Sequence, residues 1–154
     1  MRRVNISDPP FSYDATDIEG FRAGLFRPGF GAQRCGVSVY EVPPGQSICP
    51  YHYEYGEEEW LLVLDGRPLL RTPEGTERLE RSDLVFFPIG PDGAHKVTND
   101  TESVVRVVMW SNVMKPHATA YPDSGKVGVQ TGFEGEDLVV RRSSGVDYFD
   151  GEER

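Results

Sequence analysis

Two short stretches of the chain place histidines and glutamates at spacings that could support chemistry. In the first, His52 and Glu54 lie two residues apart on a predicted strand, so their side chains face the same way. A turn at Gly56 then returns the chain, and Glu59 opens the next predicted strand. The second stretch contains His95, another of the chain's three histidines. Imidazole and carboxylate groups bind divalent ions and transfer protons, but they also form hydrogen-bonded polar clusters inside folded proteins.

The elements around these residues are predicted to be short β-strands. Alternation of apolar and polar residues indicates strands, and Gly, Pro and Asp-Gly turns separate them. The predicted strands span residues 36–42, 51–55, 59–64, 68–72, 77–79, 84–88, 95–98 and 103–110. Evenly spaced short strands are typical of a sandwich or barrel. Before about residue 30 and after Trp110 the pattern predicts no long regular element.

Length and charge restrict the class of protein. A chain of 154 residues fits one domain, and a formal net charge of −9 argues against a nucleic-acid partner or an anionic membrane surface. The N-terminus has two arginines without a following apolar run, so we expect no secretory signal and a cytoplasmic location. Cys35 and Cys49 are too few for a disulfide framework, and we expect free thiols.

The two histidine stretches resemble the two sequence motifs of the cupin superfamily. The first motif is matched by Gly45, His52, Glu54, Glu59 and Gly66, and the second by Pro88, Gly90, His95 and Asn99. Three departures stand out: Glu54 replaces a second histidine, Ser82 replaces a glycine, and the spacer before His95 is two residues longer than usual. The resemblance covers about residues 36–110. It implies an all-β, single-domain cupin, a jelly-roll β-barrel.

The resemblance also implies a metal site. In metal-binding cupins the ligands are the motif residues that correspond here to His52, Glu54, Glu59 and His95. Two imidazoles and two carboxylates suit a divalent ion such as Zn, Mn, Fe or Ni. Glu54 or Glu59, if not a ligand, would be the catalytic base. Many cupins have lost their metal, and in such a protein the same residues would form a polar cluster.

Two functions follow from this resemblance. The first is a metal-dependent enzyme of isomerase, lyase or dioxygenase type that acts on a small polar molecule. The alternative is a non-catalytic module that binds a sugar or an organic acid without metal. The tail segment at residues 122–126 is similar to that of small bacterial cupin-domain proteins, some of which are labelled sugar-phosphate isomerases. By itself this segment is either an anion-binding nest or a plain turn.

The sequence also predicts how the chain is organised. We expect an N-terminal arm at residues 1–35, the cupin barrel at 36–115, and a C-terminal extension at 116–154 that packs on the barrel or on a partner. If Glu59 faces inward, Trp60 and Leu62 face outward and leave an apolar patch, which predicts a homodimer. Glu57 is expected to be solvated in its turn, and His117 to lie on the surface beyond the last strand.

Overall fold

The computed structural model describes residues 1–13 and 18–153, and this part of the chain is built from antiparallel β-strands. It contains no α-helix among the described residues, and therefore none long and apolar enough to cross a membrane. The predicted all-β fold is confirmed. The strands are β1 (Gly24–Phe26), β2 (Cys35–Val42), β3 (Tyr53–Glu54), β4 (Glu59–Asp65), β5 (Leu69–Thr72), β6 (Gly75–Arg78), β7 (Leu84–Phe87), β8 (Lys96–Thr98), β9 (Val105–Asn112), β10 (His117–Tyr121), β11 (Lys126–Gln130) and β12 (Leu138–Arg141).

The largest sheet has the strand order β1-β2-β9-β4-β7 and supplies most of the core. Along β4 the side chains alternate, as predicted: Leu61 and Val63 are 0% and 1% exposed, whereas Trp60 and Leu62 remain partly exposed. The inner face packs with residues of the smaller β6-β5-β8 sheet, including Leu70 and Val97. Each fully buried aliphatic side chain contributes roughly 1.5–3 kcal/mol, so this face stabilises the fold.

The third sheet, with the order β12-β11-β10-β3, was not predicted. The expectation that regular structure ends near Trp110 is wrong, because β9 continues to Asn112 and three further strands follow. A turn at residues 122–125 joins β10 to β11, and its Gly125 has a φ of 60°, which favours glycine. The sequence signal for β10 and β11 was the turn at residues 122–125, which has the same kinds of residue as the turns between the earlier strands. The segments on either side of it are short and mix polar and apolar residues.

The stretch containing His52 is less regular than predicted. Only Tyr53–Glu54 form a strand, and β3 pairs with β10 through Tyr53↔Ala120 and Glu54↔Thr119. His52 itself makes an isolated bridge to His95, just before β8. The short β3 therefore follows directly after the His52–His95 bridge and places Glu54 beside Thr119 of β10.

A turn before β7 has the positive-φ backbone conformation that favours glycine, at the position where the cupin motif has a glycine. Ser82 has a φ of 76°, and it is the single non-glycine residue with positive φ among those described. Its N–H donates to the carbonyl of Val63 at 2.9 Å, which ties the turn to β4. The replacement of glycine by Ser82 has therefore left the local conformation unchanged.

The N-terminal segment lies against the five-stranded sheet. Ser12 bridges Leu25 of β1, and β1 pairs with β2. The Tyr13 hydroxyl donates to the Glu41 carboxylate, and Arg106 Nη1 donates to the carbonyl of Ser7 at 2.8 Å. These contacts fix β1 beside β2 and so position the residue that follows β1, Arg27.

Candidate metal centre

The two motif histidines are joined by their own backbones. The His52 N–H donates to the His95 carbonyl at 3.1 Å, and the His95 N–H donates to the His52 carbonyl at 2.8 Å. Their ring centroids lie 4.6 Å apart. The side chains are 11% and 1% exposed. Two residues far apart in sequence therefore present adjacent imidazoles inside the domain.

Backbone carbonyls set the protonation of both rings. His95 Nδ1 lies 2.9 Å from the Gly93 carbonyl, and His52 Nδ1 lies 3.0 Å from the Pro50 carbonyl. Because a carbonyl oxygen only accepts, each Nδ1 carries the proton and each Nε2 keeps a free lone pair. Gly93 is required here, because a Cβ would lie 1.7 Å from the Pro88 oxygen.

The Nε2 atom of His95 is buried and has no hydrogen-bond partner. Buried nitrogen atoms normally have a hydrogen-bond partner, and a bound ligand would supply one for this atom. Glu59 Oε2, at the start of β4, lies 3.7 Å from it and 3.9 Å from His52 Nε2. One ligand atom from each of His52, Glu59 and His95 falls within 4.8 Å of the others.

Glu54 lies beside this group without belonging to it. Its Oε1 is 3.7 Å from His52 Nε2. Its Oε2 accepts a hydrogen bond of 2.7 Å from the Thr119 hydroxyl on β10. The structure thus brings three of the four predicted ligands into one cluster and holds the fourth at its edge.

Burial changes the acidity of these groups in a consistent direction. It lowers the pKa of His95 to about 3, with His52 adding to the effect, and it lowers the pKa of His52. Burial, together with the Glu54 and Glu57 carboxylates, raises the pKa of Glu59 to about 8. Burial also raises the pKa of Glu54, opposed by the Thr119 hydrogen bond and by His117. At neutral pH both imidazoles are therefore neutral, as metal ligation requires.

A cavity of about 280 Å³ opens onto His52 and Glu59. Residues of β2 and β9 form much of the remaining wall. The lining residues are Arg27, Gly36, Ser38, Tyr40, Ile48, Cys49, His52, Glu57, Glu59, Met109, Trp110 and Ser111. The Cys49 thiol is neutral, because burial raises its pKa to about 12.

Two residues, Glu57 and His117, lie in other surroundings than the sequence predicts. Glu57 is not solvated: its side chain is 12% exposed, and it accepts from the Met114 N–H at 3.0 Å and from the Ser111 hydroxyl at 3.3 Å. His117 is not beyond the last strand but begins β10, with its Nδ1 3.6 Å from Glu57 Oε1. Both errors share one cause, because the strands after Trp110 that cover this turn were not predicted.

The donor set fits a divalent metal. Two neutral imidazoles with free Nε2 lone pairs converge with a carboxylate, and this combination suits Mn, Fe, Ni or Zn. The carbonyls of Pro50 and Gly93 are the outer partners that metal-binding histidines normally have. The unpartnered His95 Nε2 is the observation that a ligand would explain.

Comparison with known proteins agrees with this architecture. The Cupin domain family matches residues 38–111. A sugar phosphate isomerase from a cupin superfamily of Silicibacter pomeroyi has a TM-score of 0.74 at 20% identity, covering 83% of this chain and 82% of its own. A structure from Acidithiobacillus ferrooxidans, to which a sugar phosphate isomerase activity is ascribed, has a TM-score of 0.71 at 22% sequence identity. The match covers 81% of this chain and 81% of the other. The polyketide cyclase RemF of Streptomyces resistomycificus has a TM-score of 0.62 at 22% sequence identity, and the match covers 89% of each chain.

No curated protein matches the chain by sequence. At these identities the structural likeness establishes the fold, while the family match establishes the domain. Together they confirm the predicted jelly roll. Residues 38–111 match the Cupin domain family, and the fold of the chain is that of the cupin-superfamily structure from Silicibacter pomeroyi.

Proposed function

We propose that this protein is a metal-dependent enzyme that acts on a small polar molecule bound in the 280 Å³ cavity. The observation that carries the proposal is the buried, unpartnered Nε2 of His95, which converges with Glu59 and His52. His52, Glu59 and His95 would hold a divalent ion, with Glu54 as an additional ligand or as the base. Sequence and structure leave Zn, Mn, Fe and Ni as candidates.

Among the possible reactions we favour proton transfer of the isomerase type. A bound divalent ion would supply polarisation of a substrate carbonyl or enediol oxygen. Glu54 lies at the edge of the cluster, and burial raises its pKa, which makes its carboxylate a stronger base. Thr119 fixes one carboxylate oxygen and leaves the other facing His52. The likeness to two proteins described as sugar phosphate isomerases supports the same class.

Metal content tests the site directly. We would measure it by plasma mass spectrometry on protein purified without chelator, beside the double variant His52→Ala/His95→Ala. The matched control is His117→Ala, which removes the third histidine. We expect near-stoichiometric metal in the parent and the control, and none in the double variant. A parent that stays empty after reloading would leave the non-catalytic binding module as the better description.

Solvent exchange tests the reaction class. The metal-loaded protein would be incubated with a panel of aldoses, ketoses and their phosphates in deuterated water, and deuterium incorporation next to the carbonyl would be followed by NMR. We expect Glu54→Gln to lower exchange by about 100-fold or more while metal content stays unchanged. Exchange at the parent rate in Glu54→Gln would remove Glu54 from the base role.

We also propose that two copies pair through the outer face of the five-stranded sheet. Trp60 stacks at 6.1 Å on Trp110 and lies 4.6 Å from Phe86. Phe86 and Leu84 are 42% and 57% exposed on the same face. A contiguous aromatic patch of this kind is typical of an interface, and a twofold dimer is the usual way to cover it.

Sedimentation velocity at micromolar concentration tests the dimer. We expect a dimer for the parent and a monomer for Phe86→Glu. Phe133→Glu is the control, because Phe133 is 69% exposed and lies outside this sheet. A monomeric parent would overturn the proposal.

A cytoplasmic location completes the proposal. Cys35 and Cys49 are both unpaired, and free thiols are typical of a reducing compartment. Fractionation of expressing cells, with the native N-terminus intact, would test it.

A further inference from the structure

The cavity has two walls of opposite chemistry. One wall carries His52 and Glu59. The other is built by β2, whose alternate residues Ser38 and Tyr40 face inward, and by Arg27 immediately after β1. Arg27 is the one cationic side chain among the described residues that line this cavity.

The guanidinium of Arg27 differs from those of the arginines that pair with acids. Its Nε donates to the Ser38 hydroxyl at 3.3 Å. Across the described ranges it has no ion pair, and neither Nη donates a hydrogen bond. Four other arginines each form an ion pair with a carboxylate: Arg67 with Glu80, Arg71 with Asp123, Arg78 with Asp100 and Arg106 with Glu41. Arg27 therefore keeps its two Nη groups available beside the cavity.

The charge of Arg27 acts on the hydroxyl of Tyr40, which lines the cavity. Burial raises the pKa of Tyr40, and Arg27 acts in the opposite direction on the same hydroxyl. A guanidinium offers a planar fork of donors that matches carboxylate and phosphate oxygens. The hydroxyls of Ser38 and Tyr40 add donors on the same wall.

We propose that Arg27, with Ser38 and Tyr40, forms an anion-recognition wall, so that the protein takes a small substrate carrying a carboxylate or phosphate group. The anionic group binds Arg27, and the remainder of the molecule extends towards His52 and Glu59. This orientation rests on the proposed function of the histidine site, whereas anion binding itself does not. The cavity volume of about 280 Å³ limits the substrate to a small molecule.

Calorimetric titration at constant ionic strength tests this wall. The probes are inorganic phosphate, malonate and the neutral compound glycerol. We expect Arg27→Gln to weaken binding of the preferred anion by about 10-fold or more, because a charge-assisted hydrogen-bond pair is lost. Arg27→Lys retains part of the affinity. The control Arg34→Gln removes an exposed arginine that does not line the cavity, and it leaves the affinity unchanged.

The stronger of the two anions assigns the substrate class, phosphate ester or carboxylic acid. The same titrations in His52→Ala/His95→Ala separate this proposal from the metal site. Dependence on Arg27 in that variant supports the wall even if the metal proposal fails. Equal affinity of parent and Arg27→Gln for both anions, or no binding of either by the parent at millimolar concentration, overturns it. A dependence on Arg27 that appears only in the metal-loaded parent, and not in the double variant, also overturns it.

Discussion

Two segments of the same strand pair have opposite properties. Where β4 carries Leu61 and Val63, the inner face is apolar and completely buried, and it packs on Val107 of β9. Two residues earlier, the same face carries Glu59, which is half-buried beside two imidazoles. The first segment stabilises the fold, while the second raises the pKa of a carboxyl group above its value in water. On one face of β4, a residue of the candidate site and a residue of the apolar core are therefore only two positions apart.

The largest effect is expected from the apolar segment. Leu61→Ala removes a side chain that is 0% exposed, and it should lower the free energy of unfolding by about 2–5 kcal/mol. Leu62→Ala, on the partly exposed face, is the control and should cost clearly less. Urea unfolding measures both. Metal content per folded molecule should stay at the parent value, and its loss in Leu61→Ala would show that the two segments are not separable.

A smaller effect is expected from the polar segment. In the folded, metal-free protein Glu59 holds its proton up to a pH of about 8, its pKa, whereas in the unfolded chain it releases the proton near the ordinary glutamate pKa of 4.5. The folded state therefore binds more protons, and stability falls as pH rises through this window. Burial lowers the pKa of both histidines, so just above pH 6.5 the unfolded imidazoles still release protons that the folded ones do not carry, and this partly offsets the loss. Between pH 6.5 and 8 we expect a net loss of about 1 kcal/mol.

The variant Glu59→Gln isolates this loss. It should abolish most of the decline, measured as urea midpoints of chelator-treated protein across that pH range. Glu77→Gln, at an exposed position of β6, is the control and should behave like the parent. Identical pH profiles for the parent and Glu59→Gln would show that Glu59 is ionised in the folded protein.

The smallest effect concerns Glu54. Thr119→Val removes the hydrogen bond to Oε2, which should cost about 1 kcal/mol of stability. The pKa of Glu54 should rise further, because this hydrogen bond lowers it. Carboxyl NMR titration measures the shift. An unchanged Glu54 pKa would mean that Thr119 does not hold the carboxylate in solution.

The fold was predictable where the pattern was local. Turn residues and alternation predicted the core strands to within about two residues at most ends, as for β4 and β7, and the motif spacing identified the family. The His52–Glu54–Glu59–His95 set could be named because each residue stands at a motif position. The strands β10 to β12 were missed, because HATAY and KVGVQ are short and mix small, polar and apolar residues.

That omission explains what the sequence could not predict at the site. Thr119, which donates to Glu54, and His117, which lies close to Glu57, are both on β10. Arg27 enters the cavity from the N-terminal segment, where no motif indicated it. Each of these contacts joins segments distant in sequence, so only the pairing of strands reveals them.

The reciprocal backbone bond between His52 and His95 has a consequence for how the protein matures. The two imidazoles come from segments that are far apart in sequence and that meet only in the folded chain. An unfinished chain offers each imidazole alone, and an ion that needs both will bind the finished chain in preference. A metal bound there, as proposed above, would therefore stabilise the folded chain and contribute little to the unfolded one.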